Sequence, residues 1–536
     1  MESVKDIILQ AKNEEYIKKV FGTEQWVQIS GHKNLNGADA GFWCGLVRTD
    51  QIEELFQDVG WDISAHQQST PGFEGDSDGY HYNSSLLKEG FESVILYREF
   101  YGVKPDYIEL SQEFVLLNNL RYDSISKSYW AMYDSGESEE AVKYTDATTI
   151  LIKMKFLQSY SAAKQMAIVL FFDIRTQFDG KLSNYGLEEF QTVHFKSNDL
   201  LYEKWGGNMN LPQYAYSVLM GKKIIMPAPV EECGYWPFEK EKKYEDFIIG
   251  VDKFGREQFF SCDPDKLSNY FGANPDAPFY LTPIFFKKEV LQKYLSKPEV
   301  YEVRDGYLCC QSLWGVEIDN HYKDCISVYL GDLGRDLPGC EQSYWKSFNI
   351  VGDGKMSETA FQRDFLNMPV QSKMEDHIFQ NLYTSVTKKW QEKYGWTLFL
   401  PLSSEDHYNI SQIRIPITDS QPEFDQLVLS LVKVLIDSLN EKELRCSDNA
   451  ADNQKGISKL ENWFNINGIV DYEEHIQFLR DLQELRSCGT GHRKGKSYDK
   501  ISKVFYLREK SKIDVFEDIL KSANAFLAFL DNSVLQ

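Results

Sequence analysis

No stretch of this chain is apolar enough to cross a bilayer. The densest hydrophobic run, Ala167-Ile-Val-Leu-Phe-Phe172, falls far short of the ~20 residues a membrane helix needs. The opening Met1-Glu-Ser-Val-Lys-Asp6 has neither the basic nor the apolar region of a secretory signal. Positive charge is scarce: 58 Lys and Arg stand against 81 Asp and Glu, a net charge of -23, so a nucleic-acid coat over the whole surface is excluded and any such site must be local. The nine cysteines include no CxxC pair, and Cys309 and Cys310 are adjacent, which suits neither ordinary zinc ligation nor routine disulfides. They read as reduced thiols of a cytoplasmic protein. There is no G-x-G-x-x-G after a strand and no G-x-S-x-G elbow, so neither a dinucleotide site nor a serine-hydrolase site is expected. The histidines at 32, 66, 81, 194, 321, 377, 407 and 475 show no metal-ligand spacing, and neither a metal nor another cofactor is expected.

What the chain does have is length and rings. Its 536 residues exceed one ordinary core, and 14% aromatic content argues for folded chain throughout. The first 415 residues read as a mixed α/β, β-rich region. The domain-size range allows it to be two lobes split near residues 200–240. Thr149–Lys153, Phe156–Met166 and Ala167–Phe172 give strand, helix and buried strand in the order of a βαβ-like unit. Asp173 and Arg175 then read as a salt-bridged strand end. Phe247–Phe260 is a hairpin signal, and Tyr301–Cys309, with its Asp305-Gly306 turn, begins a series of strands continued by Leu313–Asp319 and Cys325–Leu330. Gly331–Pro338, with two Asp and an Arg among glycines, reads as an Asp-Arg stapled turn rather than a ligand loop.

Helical periodicity takes over from Ser357 and is clearest in Asp376–Tyr394, Phe424–Leu439, Tyr472–Arg486 and Val515–Leu530. The whole is therefore of the α+β class, with a boundary near residue 415 and an all-α helical bundle at 416–536.

Catalytic-type side chains, a backbone break and positive charge coincide in one place, Glu484-Leu-Arg-Ser-Cys-Gly-Thr-Gly-His-Arg-Lys-Gly-Lys-Ser497. Ile476, Leu479, Leu482 and Leu485 form a buried stripe that brings a helix to its end at Arg486. Six residues on a continuous helix turn through about 240°, so Arg486 and His492 would not face one place. Gly489 and Gly491 break that helix and let His492 fold back. An imidazole that takes or gives a proton beside an always-charged guanidinium suits RNA cleavage: His492 activates the 2′-hydroxyl or protonates the leaving 5′-oxygen, and Arg486 holds the phosphate, with no metal required. Arg493, Lys494, Lys496, Lys500 and Lys503, followed by Arg508, Lys510 and Lys512, face only Asp499 and Glu509 in an otherwise acidic chain, and this local reversal of charge suits an RNA phosphate track. The segment ends like a P-loop, but Gly489 lies one residue too far from Gly495-Lys-Ser497, Gly491 one too near, and a helix rather than a strand precedes it.

An Arg and a His separated by four to six residues after a helix of a small all-α domain resembles the R-x4-6-H signature of the HEPN superfamily. The resemblance covers about residues 420–536. It implies a metal-independent endoribonuclease of prokaryotic antiviral or toxin systems, with Arg486 and His492 catalytic, RNA as substrate and the site formed between the chains of a homodimer. Ser487 stands where many members carry Asn, Asp or His. On this reading the N-terminal region senses a protein or phage-derived trigger. The alternative is a non-catalytic assembly protein whose helical domain dimerises, with Phe526 and Leu530 as residues that could line the interface.

Overall fold

The computed structural model describes the chain except residues 1–3, 65–66, 69, 211–212, 240, 369, 404–405, 407, 445–454, 491–495 and 536, and except the side chains of 489–490 and 496–497. The chain folds as two compact units, Met1–Tyr133 with Glu137–Glu241, and Asp134–Gly136 with Lys242–Gln536.

The first unit is built on an 11-stranded antiparallel sheet. Its strands are β1 (Trp26–Leu35), β2 (Ala38–Arg48), β3 (Phe91–Ser93), β4 (Leu120–Asp123), β5 (Ser128–Met132), β6 (Ser138–Tyr144), β7 (Ile150–Lys153), β8 (Met166–Asp179), β9 (Val193–Lys196), β10 (Leu200–Asn210) and β11 (Gln213–Ile225). They lie in the order β9-β10-β11-β8-β2-β1-β7-β6-β5-β4, with β3 on β2. The centre of this order explains the densest apolar run. Met166–Phe172 of β8 are buried without interruption, because a central strand covered on both faces has no solvent side, whereas burial alternates from Asp173 onward. Phe21 packs edge-on against Phe172 at 5.7 Å, and the helix Ala11–Lys19 (α1) brings Ile17 into the same core.

Strand β7, the helix Met154–Lys164 (α2) and β8 do follow in the expected order. The topology is nevertheless not a parallel βαβ crossover. Two strands, β1 and β2, intervene between β7 and β8, and three antiparallel pairings along that path make β7 and β8 run in opposite directions. Asp173 and Arg175 do pair, at 2.7 Å, but along the strand rather than at its end.

The second unit starts with three small sheets. A hairpin joins β12 (Asp246–Val251) to β13 (Glu257–Ser261) with Phe247 opposite Phe260. A central strand β14 (Pro283–Lys287) pairs on its two sides with β18 (Cys325–Tyr329) and β19 (Asn349–Ile350), and a meander runs through β15 (Tyr301–Arg304), β16 (Tyr307–Cys310) and β17 (Trp314–Glu317). The successive strands expected from 301 to 330 are thus shared between two sheets. Around them Trp345 stacks edge-on with Phe286 at 4.8 Å and donates its indole N–H to Tyr294, whose hydroxyl donates to the buried Glu341. Most of Gly331–Pro338, expected as a turn, lies in a short helix, Leu330–Asp336, in which Arg335 pairs with Asp332 and Asp336.

After the helix α3 (Glu358–Asp364), the bundle is formed by α4 (Glu375–Tyr394), α5 (Gln421–Val432), α6 (Gly456–Ile466), α7 (Glu473–Leu485), α8 (Lys496–Val504) and α9 (Lys512–Phe529). It takes in α4, upstream of residue 416, because α4 packs its Phe379, Val386 and Trp390 into the same core as α9. The architecture is α+β, with a large β-rich N-terminal part and a helical C-terminal part. Among the described residues no helix is long and apolar enough to cross a membrane, and the eight described cysteines are all free thiols.

Candidate functional site

The end of α7 is built by its apolar stripe. Ile476, Leu479, Leu482 and Leu485 are all buried, and this fixes the azimuth of the helix and hence the direction in which the next residues leave the core. The helix does not break at Arg486. It widens into a π-helical turn, Arg486–Thr490, with Gly489 inside that turn. Such a turn shifts the residues after it out of the α-helical register and frequently marks a functional position. Ser487 donates its hydroxyl back to the Gln483 carbonyl at 2.9 Å, so it braces the turn rather than pointing into a site.

Arg486 is 35% exposed, and its Nη2 lies 3.6 Å from Oδ2 of Asp437, in the π-helical turn Lys433–Asp437 that ends α5. Helix α8 packs against α7 and its final turn. Its buried Ile501 and Ser502 face the bundle, which leaves Lys500 and Lys503 exposed. Further along, Arg508 pairs with Asp499 and Lys510 with Asp518 at 2.6 Å, so part of the basic segment is neutralised locally. Of the expected site residues, His492, Arg493 and Lys494 lie outside the described residues. Lys496 opens α8, and its side chain also lies outside them.

Phe526 and Leu530 do not line a surface. Both are wholly buried in the core of the bundle, which excludes them as interface residues.

A second polar constellation, which no spacing in the sequence announces, lies between the small sheets and α4. Asp305 sits in the Asp-Gly turn joining β15 to β16, where Gly306 takes φ of +79° and its N–H donates to Asn320. His321 follows β17 in a loop pinned by paired backbone hydrogen bonds between Asp319 and Ser327. Ser357, the N-cap of α3, donates from both its N–H and its hydroxyl to Asp319 at 2.8 Å. Six residues later Arg363 grips both oxygens of Asp305, at 2.7 and 2.8 Å. His377 enters from the first turn of α4, where Asp376 accepts from the N–H of His377 and from that of Ile415.

These elements converge tightly. His321 Nε2 is 2.7 Å from Asp305 Oδ1, its Nδ1 is 3.0 Å from Asp319 Oδ1, and His377 Nδ1 is 3.5 Å from Asp305 Oδ1 and 2.9 Å from the Ser372 hydroxyl. Burial alone would raise the Asp305 carboxyl, but Arg363 and His321 outweigh it and hold it well below the usual carboxylate range. Burial lowers His321, yet Asp305 and Asp319 win and its pKa is raised, whereas burial dominates at His377 and lowers it. One ligand atom from each of Asp305, His321 and His377 lies within 4.8 Å of the others. A cleft of about 250 Å³ opens beside Asp305 and His321, lined also by Tyr329, Arg363 and Asp364.

No family model matches the chain, and neither a curated protein nor a solved structure matches it.

Proposed function

We propose that this protein is a metal-independent endoribonuclease effector of antiphage defence, with an HEPN-like helical domain and an N-terminal region that recognises a protein or phage-derived trigger. RNA is the substrate, the active form is a homodimer, and the protein works in the cytoplasm. The reading is supported above all by Arg486, which opens a widened turn at a helix end, is partly exposed, and stands six positions before His492. The exposed Lys500 and Lys503 on the adjoining α8 add local positive charge in a chain of net charge -23. In this mechanism the RNA supplies its own nucleophile, the 2′-hydroxyl. His492 moves the proton, Arg486 carries the charge that builds on the phosphate, and the products are a 2′,3′-cyclic phosphate and a 5′-hydroxyl.

Purified protein mixed with transfer RNA or total RNA, with EDTA added together with the RNA, should cut it, and His492→Ala and Arg486→Ala should not. Equal cutting by His492→Ala would sink the assignment. A chain that dimerises but leaves every RNA intact, with and without phage lysate as a source of trigger, would point instead to an assembly module.

A further inference from the structure

We propose that Asp305, His321 and His377 form a binding site for one divalent transition-metal ion of the zinc class. The inference does not depend on whether the chain cuts RNA.

Two imidazole nitrogens and one carboxylate oxygen are the donors that borderline metals such as Zn²⁺ take. Calcium and magnesium would require more oxygen ligands than this cluster offers. The spacing fits as well. Tetrahedral bonds of about 2.0–2.1 Å place neighbouring ligand atoms about 3.3 Å apart. Asp305 Oδ1 here lies 2.7 Å from His321 Nε2 and 3.5 Å from His377 Nδ1, and the three ligand atoms all lie within 4.8 Å of one another, close enough for side-chain shifts to bring them onto one ion.

The surrounding residues hold the ligands in pose. Asp319, 8% exposed and fixed by Ser357, lies 3.0 Å from Nδ1 of His321. That carboxylate holds the Nδ1 hydrogen when an ion takes the place of the Nε2 hydrogen now facing Asp305, the outer-shell arrangement that orients metal-binding histidines. His321 and His377 are 5% and 10% exposed, so neither ring is free to swing away. Entry of the ion replaces three hydrogen bonds, His321 Nε2 to Asp305 Oδ1, Arg363 Nη1 to Asp305 Oδ1, and the one between Ser372 Oγ and His377 Nδ1, and the Nε2 proton of His321 leaves to solvent. Arg363 keeps its bonds from Nη2 to Asp305 Oδ2 and to the Val370 carbonyl. The cleft of about 250 Å³ beside Asp305 and His321 leaves room for a water or an exchangeable ligand at a fourth position. An ion held there would clip the β15–β16 turn and the loop after β17 to the first turn of α4, tying the small sheets to the bundle.

Full-length protein without a polyhistidine tag, loaded with Zn²⁺ or Co²⁺ and desalted, should retain about one metal per chain by elemental analysis. The cobalt form should show the visible d–d bands of a four-coordinate nitrogen and oxygen site. Asp305→Asn and His377→Gln should lose both signals, and Asp319→Asn should weaken metal affinity about 10–100-fold. Should a variant fail to fold, the wild-type melting curve serves, because Zn²⁺ should raise its Tm and a chelator should reverse the rise. Absence of retained metal together with an unmoved wild-type Tm overturns the site. So does unchanged metal content in folded Asp305→Asn and His377→Gln, which would assign the ion to other donors.

Discussion

The guanidinium of Arg486 and the carboxylate of Asp437, each on a π-helical turn that ends its helix, face each other at 3.6 Å. Both are more than a third exposed, so the pair contributes at most about 1 kcal/mol to stability. Its consequence is electrostatic: Asp437 offsets the charge that RNA would meet. Asp437→Asn should therefore move Tm by less than about 4 °C and strengthen RNA binding several-fold, with the gain shrinking at high salt. Fluorescence anisotropy at two salt concentrations measures this. An unchanged affinity would separate Arg486 from the RNA surface.

Phe526 and Leu530 test the bundle rather than an interface. Because both are wholly buried, Phe526→Ala should cost about 3–5 kcal/mol and Leu530→Ala about 2–5 kcal/mol in urea unfolding. The folded fraction should keep the wild-type mass in light scattering. A clean shift to monomer at full stability would contradict the burial.

Gly221 lies in β11 where the neighbouring β10 comes too close for a side chain. A Cβ there would stand 2.1 Å from the Leu201 carbonyl oxygen and 2.7 Å from Tyr202 Cα, both backbone atoms that cannot step aside alone. Gly221→Ala should open the β10–β11 pairing and destabilise the first unit by more than the roughly 1 kcal/mol of an average substitution. Hydrogen exchange of the amides of residues 200–225 should report the loss.

Glu14 makes the first unit sensitive to acid. Burial raises its carboxyl, but hydrogen bonds from Lys18, Lys204 and Tyr202 prevail and bring it from 4.5 down to about 2. A pKa lower in the folded than in the unfolded state gives stability that is fully present above 4.5 and is lost as pH falls toward 2. Glu14→Gln should accordingly cost stability at neutral pH and show a shallower decline between those limits. Urea midpoints across that range, followed in the first unit, would show parallel curves if the carboxylate played no such part.

Local signals were legible in the residues. The apolar stripe of α7, the hairpin around Asp252–Arg256 and the Asp-Gly turn at 305 each rest on contacts within a few positions, and each stands where periodicity and turn chemistry put it. Two local readings failed for opposite reasons. Leu330–Asp336 is helical although two glycines argued for a turn, because Gly331 and Gly334 let that helix approach the Tyr280 ring and the Cys262 carbonyl more closely than any Cβ would allow. The β7-α2-β8 order suggested a parallel crossover, but the hairpin of β1 and β2 occupies the gap and reverses the direction.

The amino-acid sequence by itself determined the α+β class, the run of helices toward the C-terminus and the single basic segment, because composition and hydrophobic period act locally. Only the tertiary structure decided that Arg486 opens a turn facing Asp437, that Phe526 and Leu530 are core, and that Asp305, His321 and His377 meet. Those three residues come from a hairpin turn, a loop and a helix start, elements far apart in sequence that only the packing within the second unit brings together. Such packing leaves no periodic trace in the chain.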